Sequence, residues 1–357
     1  MKKYLLLSLL IAAIATQLCA QPTVNNKVYS YKNLSIYLLE SNDQSSNEYL
    51  TLAEAMKQSK IELKEIGTVS ELSVDNLSNN HVFIMAGDIV KGGKQDRTIG
   101  IDLVLKPSAK KVPLKSFCVE RSRWSQRGGE SLANFSTSAQ TLSNRNLKIA
   151  AREKKDQSSV WAEVSAYQTN AGANVKADVK SKQSATSLQL TLENKELRTT
   201  VQDYIKALQP AFDNNKNVVG FAFCINGKVS TVEWFENAQL FSKLQAKLLE
   251  AAANEAVSEY REDIAIDNLS AGSITAFIKN AQAGNTEDSR IADNMLERKH
   301  KTDKSTMFSS YNTEMSTARP VHVSIYSTEG IESGQMQNQV PQDRIQLLNQ
   351  VPIRRNR

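Results

Sequence analysis

Apolar and polar positions alternate over short stretches through the first third of the chain. Residues 28–39 are rich in Tyr, Leu and Ile with partial alternation, which predicts a strand. Thr51 and Glu54 have the spacing of a capping box and open a short helix with Leu52, Ala55 and Met56 on its apolar side. Strand-like segments follow at 61–66, 71–74, 81–85, 99–105 and 112–119. They are separated by the turn formers Asp75-Asn76, Asn79-Asn80, Gly92-Gly93 and Pro107-Ser108. The opening third therefore reads as β-rich.

The pattern then changes. Residues 128–188 are dense in Ser, Thr, Asn and Gln, which predicts mostly surface or loop around one short helix at Val160, Trp161 and Val164, with the indole packed inward. Leu197, Val201, Tyr204, Ile205, Leu208 and Phe212 keep a helical period. Residues 218–225 and 229–235 flank Asn226-Gly227, a dipeptide that accepts positive φ at both turn positions of a hairpin. Leu240, Leu244, Leu248, Ala252, Ala256 and Tyr260 recur every four residues, so a long amphipathic helix should pack back on that hairpin. Residues 279–318 are polar and charged and read as a solvated loop, and 320–327 as a last strand. The expectation is an α+β fold: a β-rich N-terminal half, then a β-hairpin and long amphipathic helices packed on the sheet. One domain would span 21–329, β-rich over 28–127 and mixed over 128–329, with 330–357 a flexible Gln-rich tail.

The first twenty residues belong to another pattern. Lys2 and Lys3 precede an apolar run from Leu5 to Ala15 and then Leu18-Cys19-Ala20, which reads as a secretory signal peptide cleaved after Ala20. The run is shorter than the roughly 20 residues that span a bilayer. An exported chain, periplasmic or secreted, with no membrane span after cleavage is the expectation. Cleavage would remove Cys19 and leave Cys118 and Cys224, either as two buried thiols or as a disulfide.

Composition excludes more than it identifies. The 357 residues are 40% hydrophobic and 23% charged, an ordinary globular balance, and three Cys with three His offer no zinc or iron–sulfur ligand set, so no metal or cofactor is expected. Aromatics are only 6%, with no nucleic-acid module in view. The net charge of +6 is unevenly spread. Residues 91–127 hold ten Lys or Arg against three Asp or Glu, and once the signal lysines and the basic tail are set aside the rest of the chain is acidic.

Candidate chemistry falls in that basic segment. Asp88 is followed by Gly92-Gly93-Lys94-Gln95-Asp96-Arg97: glycines let backbone N–H groups approach a ligand, and Lys94 and Arg97 can hold an anion. The spacing is neither a Walker loop nor a dinucleotide fingerprint. A second cluster, Cys118-Val119-Glu120-Arg121-Ser122-Arg123-Trp124, combines a thiol, a carboxylate, guanidiniums and an indole. Cys118 is a candidate nucleophile and Glu120 a candidate acid/base; Trp124 could stack on a base or ribose. No serine-hydrolase elbow occurs.

These strings, with Gln157 before Val160-Trp161, the Gly220-Phe221-Ala222 to Trp234-Phe235-Glu236 hairpin and His322-Val323-Ser324, resemble the ADP-ribosylglycohydrolase and rhodanese-phosphatase-superfamily-associated protein domain, a family of unknown function. The resemblance covers roughly 32–328. Lys94, Gln95, Arg97, Cys118, Glu120, Arg123 and Trp124 match its pattern directly, and Asp88 matches an upstream acidic position. Gly93 stands where alanine is usual and Asp96 where asparagine is usual, an added negative charge that would either weaken phosphate binding or mark a divergent member. The resemblance implies association with ADP-ribose and nucleotide-linked systems, and no particular activity. Two functions compete: a site for a phosphorylated or nucleotide-like ligand, catalytic or not, and a non-catalytic extracytoplasmic scaffold in which the polar cluster is structural. The first demands an open cleft, the second a closed network with its hydrogen bonds satisfied.

Overall fold

The computed structural model describes residues 21–121, 123–130, 135–213, 216–264, 267–316 and 318–329. The expected signal peptide and Gln-rich tail lie outside the described residues. The chain opens with the hairpin β1 (Thr23–Tyr31) and β2 (Leu34–Glu40), where a single strand was expected; Lys32 turns the corner at φ 47°. Next come β3 (Leu50–Thr51), α1 (Leu52–Lys57) with the expected Thr51–Glu54 capping box, β4 (Ile61–Glu65) and β5 (Glu71–Asn76). Then follow β6 (Val82–Ile84), β7 (Asp88–Gly92), β8 (Arg97–Ile99), β9 (Leu103–Leu105), β10 (Val112–Cys118) and β11 (Phe135–Leu142).

The second half begins with α2 (Arg145–Lys148), which runs directly into a π-helical segment, Ile149–Lys154. After it come α3 (Gln157–Val175), α4 (Leu188–Leu192), α5 (Lys195–Leu208), β12 (Val218–Ile225) and β13 (Lys228–Phe235). The chain finishes with α6 (Ala238–Ser258), α7 (Ala271–Gln282), β14 (Asn285–Ala292), β15 (Met295–Lys301), β16 (Ser305–Asn312) and β17 (His322–Ser327).

Strands and helices are both abundant, and the fold is mixed α+β with large sheets. An antiparallel eight-stranded sheet has the order β1-β2-β12-β13-β17-β16-β15-β14. Helix α6 covers one face through Leu240, Leu244, Leu248, Ala252 and Ala256; α7 covers the other, setting Ile274, Ile278 and Ala281 against Val232, Trp234, Val323 and Ile325. The predicted turn holds, with Asn226 and Gly227 at φ 52° and 73°. A six-stranded sheet, β11-β7-β8-β10-β5-β4, and a small one, β3-β6-β9, share the α6-side core. No helix among the described residues is long and apolar enough to cross a membrane.

Two longer stretches also differ from the sequence reading. Residues 279–318 are not a solvated loop: β14, β15 and β16 extend the large sheet, with β14 its exposed edge and Ser305, Thr306, Ser309, Ser310 and Asn312 of β16 buried. Residues 128–188 hold β11, α2 and the 19-residue α3, which buries Val160, Val164, Tyr167, Gln168 and Ala171 along one face. Trp161 is only half-buried, off that face.

The outer strands of the six-stranded sheet approach each other at Gly93. Its φ is +55°, and a Cβ built there would lie 2.5 Å from Phe135 Cζ and 2.9 Å from Glu65 Oε1. Phe135 begins β11 and Glu65 ends β4, so the glycine lets the sheet curl round. Gly93→Ala combines a left-handed conformation with overpacking and should cost about 2–4 kcal/mol in a urea melt. A neutral substitution would mean that the Phe135 ring moves aside freely.

Candidate functional site

Arg97 and Cys118 face each other across the β8–β10 pair, which brings the two basic sequence clusters together. Arg97 is fully buried. Its Nη2 donates to both oxygens of Glu65 at 3.3 Å, and its Nη1 donates to Gln95 Oε1 at 3.2 Å and to Cys118 Sγ. The Cys118 thiol donates to Gln95 Oε1 at 2.8 Å, while Gln95 Nε2 donates to the Glu120 carbonyl at 2.7 Å. Gln157, at the start of α3, pairs with the Cys118 backbone like a neighbouring strand, at 2.9 and 2.8 Å.

Beside this pair, two carboxylates meet two guanidiniums. Asp96 and Glu120 are both 0% exposed. Arg127 donates to both oxygens of Asp96, at 2.9 and 3.0 Å, and to Glu120 Oε1 at 3.2 Å. Arg123 Nε donates to Glu120 Oε2 at 2.7 Å, and its Nη1 to the carbonyls of Gly93 and Ser125. Ser187, which caps α4, adds a hydroxyl donor to Asp96 at 3.1 Å. The acid at 96 therefore faces Arg127 and Ser187.

The electrostatics do not activate the expected catalytic groups. Burial pushes the Cys118 thiol up to about 12, with Arg97 opposing the shift, so the thiolate needed for attack is scarce at neutral pH. Burial also raises the Asp96 carboxyl, against the pull of Arg127. Burial opposes the charge on Arg127, but its hydrogen bonds to Asp96 and Glu130 outweigh that, and it is held charged more firmly than usual. Both oxygens of Glu120 are occupied by guanidinium donors. Cys118 and Cys224 are both free and buried, without a bridge between them.

Of the expected site residues, Gly93, Lys94, Gln95, Arg97, Cys118, Glu120, Arg123 and Trp124 converge. Asp88 does not: it accepts from Lys247 of α6 at 2.6 Å and from the Met85 backbone at 3.0 Å. The group has one outward side. Trp124 is 46% exposed, with Lys94 Nζ 4.9 Å from its ring centroid and the Arg97 guanidinium 5.9 Å away.

A second charged cluster escaped the sequence reading. Arg145, Lys148 and Arg152 follow helical spacing through α2 and the π-helical turn, all buried. Arg145 pairs with Glu255 and Glu259, Lys148 with Glu233 at 2.7 Å, and Arg152 with Asp102 at 2.7 Å and Glu297 at 2.8 Å. Asp102 also accepts from the Ala86 N–H and Ser310, and its Oδ2 lies 2.9 Å from His322 Nδ1. His322 stacks on Phe235 at 4.5 Å, its Nε2 without a hydrogen-bond partner among the described residues. A cationic residue at each of 145, 148 and 152 was the available signal, hidden by the polar composition around it. Among the described residues no group of three or more His, Cys, Asp or Glu is arranged to hold a metal ion.

The quoted motifs thus fall into two places. The Gly-Lys-Gln-Asp-Arg, Cys-Val-Glu and Gln157 strings meet around Arg97; the β12–β13 hairpin and His322-Val323-Ser324 meet where Phe235 pairs with His322 across β13 and β17. A family model, the ARG and Rhodanese-Phosphatase-superfamily-associated Protein (ARPP-1) domain, matches residues 24–326. The chain belongs to this family. No curated protein and no solved structure matches it.

Proposed function

We propose that this chain is an exported, non-catalytic binding protein in which the cluster around Arg97, Asp96 and Glu120 is a closed ionic framework, and the surface it carries meets a small phosphorylated or nucleotide-like ligand. The observation that carries this reading is the pairing of Asp96 and Glu120 with Arg123 and Arg127 inside the protein, which leaves neither carboxylate free for acid/base work. Lys94 supports the ligand part: it has no ion-pair partner among the described residues and stands against an exposed indole. Export rests on the N-terminal pattern of two lysines, an apolar run and Ala20.

The test is a thermal-shift screen of the chain from Gln21 onward against phosphorylated ligands, with phosphorus NMR on the same mixtures. A stabilising ligand, a smaller shift in Lys94→Gln, and no product are expected. Product formed by the wild type and abolished in Glu120→Gln would overturn the non-catalytic reading.

A further inference from the structure

We infer that the ligand surface is a double platform, Lys94 with Trp124 and Arg121 with Trp161, built for a phosphate joined to a ring that has a flat face. The inference rests on the non-catalytic binding reading, in which the cluster is closed inside and a ligand meets its outer face at Lys94 and Trp124. Arg121 is exposed and its guanidinium lies 5.7 Å from the Trp161 ring centroid, while Lys94 Nζ lies 4.9 Å from that of Trp124. Neither cation has an ion-pair partner among the described residues. Most cations of the same segment are paired: Lys91 with Glu193, Lys106 with Glu314, Lys115 with Glu71, Arg97 with the part-buried Glu65, and Arg123 and Arg127 with the buried Glu120 and Asp96. Lys110 and Lys111 also lack an ion pair among the described residues, but only Lys94 and Arg121 of these unpaired cations stand over an indole there.

The backbone places the two pairs close together. Arg121 and Trp124 are three residues apart, so their Cα atoms lie within about 11 Å. Arg123 turns inward, bonding Glu120 and the Gly93 and Ser125 carbonyls, while Trp124 next to it and Arg121 are exposed. Gln157, four residues before Trp161 on α3, is tied to the Cys118 backbone three residues before Arg121, so the second pair is held to the same frame.

The chemistry follows from the side chains. An ammonium and a guanidinium without carboxylate partners recognise phosphate oxygens, the guanidinium through its planar fork. An exposed indole contributes a stacking face for a base or a sugar ring. Inorganic phosphate would use the cations alone and lose the stacking, whereas a nucleotide or sugar phosphate would use both.

Isothermal titration of the chain from Gln21 onward with uridine diphosphate, a hexose phosphate and inorganic phosphate tests this. At least one ring phosphate should bind about 10-fold or more tighter than inorganic phosphate, and Trp124→Ala should remove most of that difference. Arg121→Gln should weaken ring phosphates several-fold without lowering the melting temperature. If Trp124→Ala and Arg121→Gln both bind as the wild type does, the platform is wrong while the binding reading stands. If inorganic phosphate binds as tightly as the ring compounds, the ring part is wrong. If no probe binds the wild type, both readings fall.

Discussion

Arg152→Met should destabilise the protein by about 3–5 kcal/mol, because it strips two buried carboxylates of their shared cation. Arg152 is 1% exposed; its Nε donates to Glu297 at 2.9 Å, and its Nη2 to Asp102 at 2.7 Å and Ser310 at 3.0 Å. The guanidinium also lies 4.4 Å from the Phe308 ring centroid, so its plane is packed as well as bonded. Methionine restores part of the volume and none of the charge. Urea melts of wild type and variant measure the loss directly.

The deficit should depend on pH in a defined direction. Burial alone would raise the Asp102 carboxyl, but Arg152 and His322 outweigh it and hold the group far below the usual carboxylate range. A depressed folded-state value means that Asp102 contributes stability above its unfolded value, near about 3.9, and loses it as pH falls further. In the variant the same carboxyl, without Arg152, rises and favours the folded state when protonated. The gap between the two proteins should therefore be widest at neutral pH and shrink towards pH 4. A gap below about 1 kcal/mol at neutral pH would show that the cluster is not held as ion pairs.

That cluster also marks where sequence stops predicting structure. Asn226-Gly227 announces its hairpin because turn chemistry is local, and α6 announces itself because its Leu and Ala repeat faces one apolar sheet. The partners of Arg145, Lys148 and Arg152 lie elsewhere in the chain, at Glu255, Glu233, Asp102 and Glu297, so nothing nearby marks those cations as buried. The same cause hides β16: Ser310 points at Asp102 and Arg152, and a strand that buries polar side chains against charges has no alternating pattern to read. At the candidate site, sequence marked two basic strings, and the pairing of β8 with β10 is what sets Arg97 opposite Cys118. Whether a guanidinium there faces water or a carboxylate is decided by tertiary packing, and Arg97, Arg123 and Arg127 all face carboxylates. Asp88 shows the opposite limit: adjacent in sequence, it is drawn to Lys247, 159 positions later.

The framework around Asp96 should behave as a coupled unit. Arg127→Leu removes the bidentate partner of Asp96 and one donor to Glu120, at a cost of about 3–5 kcal/mol. Asp96→Asn removes a charge but keeps an acceptor for Arg127 and Ser187, and Arg127 retains Glu120 and Glu130, so its cost should be smaller, about 1–2 kcal/mol. The double variant no longer buries the unpaired Asp96 charge. Its loss should fall short of the sum by about 1–3 kcal/mol, the size expected for directly bonded groups. Denaturant melts of the four proteins close the cycle, and strict additivity would mean that Asp96 and Arg127 are neighbours without being partners. Asp96→Asn also separates framework from surface: Lys94, Arg121 and Trp124 are untouched, so ligand affinity at the platform should stay within a few-fold of wild type while stability falls. A loss of binding that exceeds the loss of stability would instead place Asp96 itself in contact with the ligand.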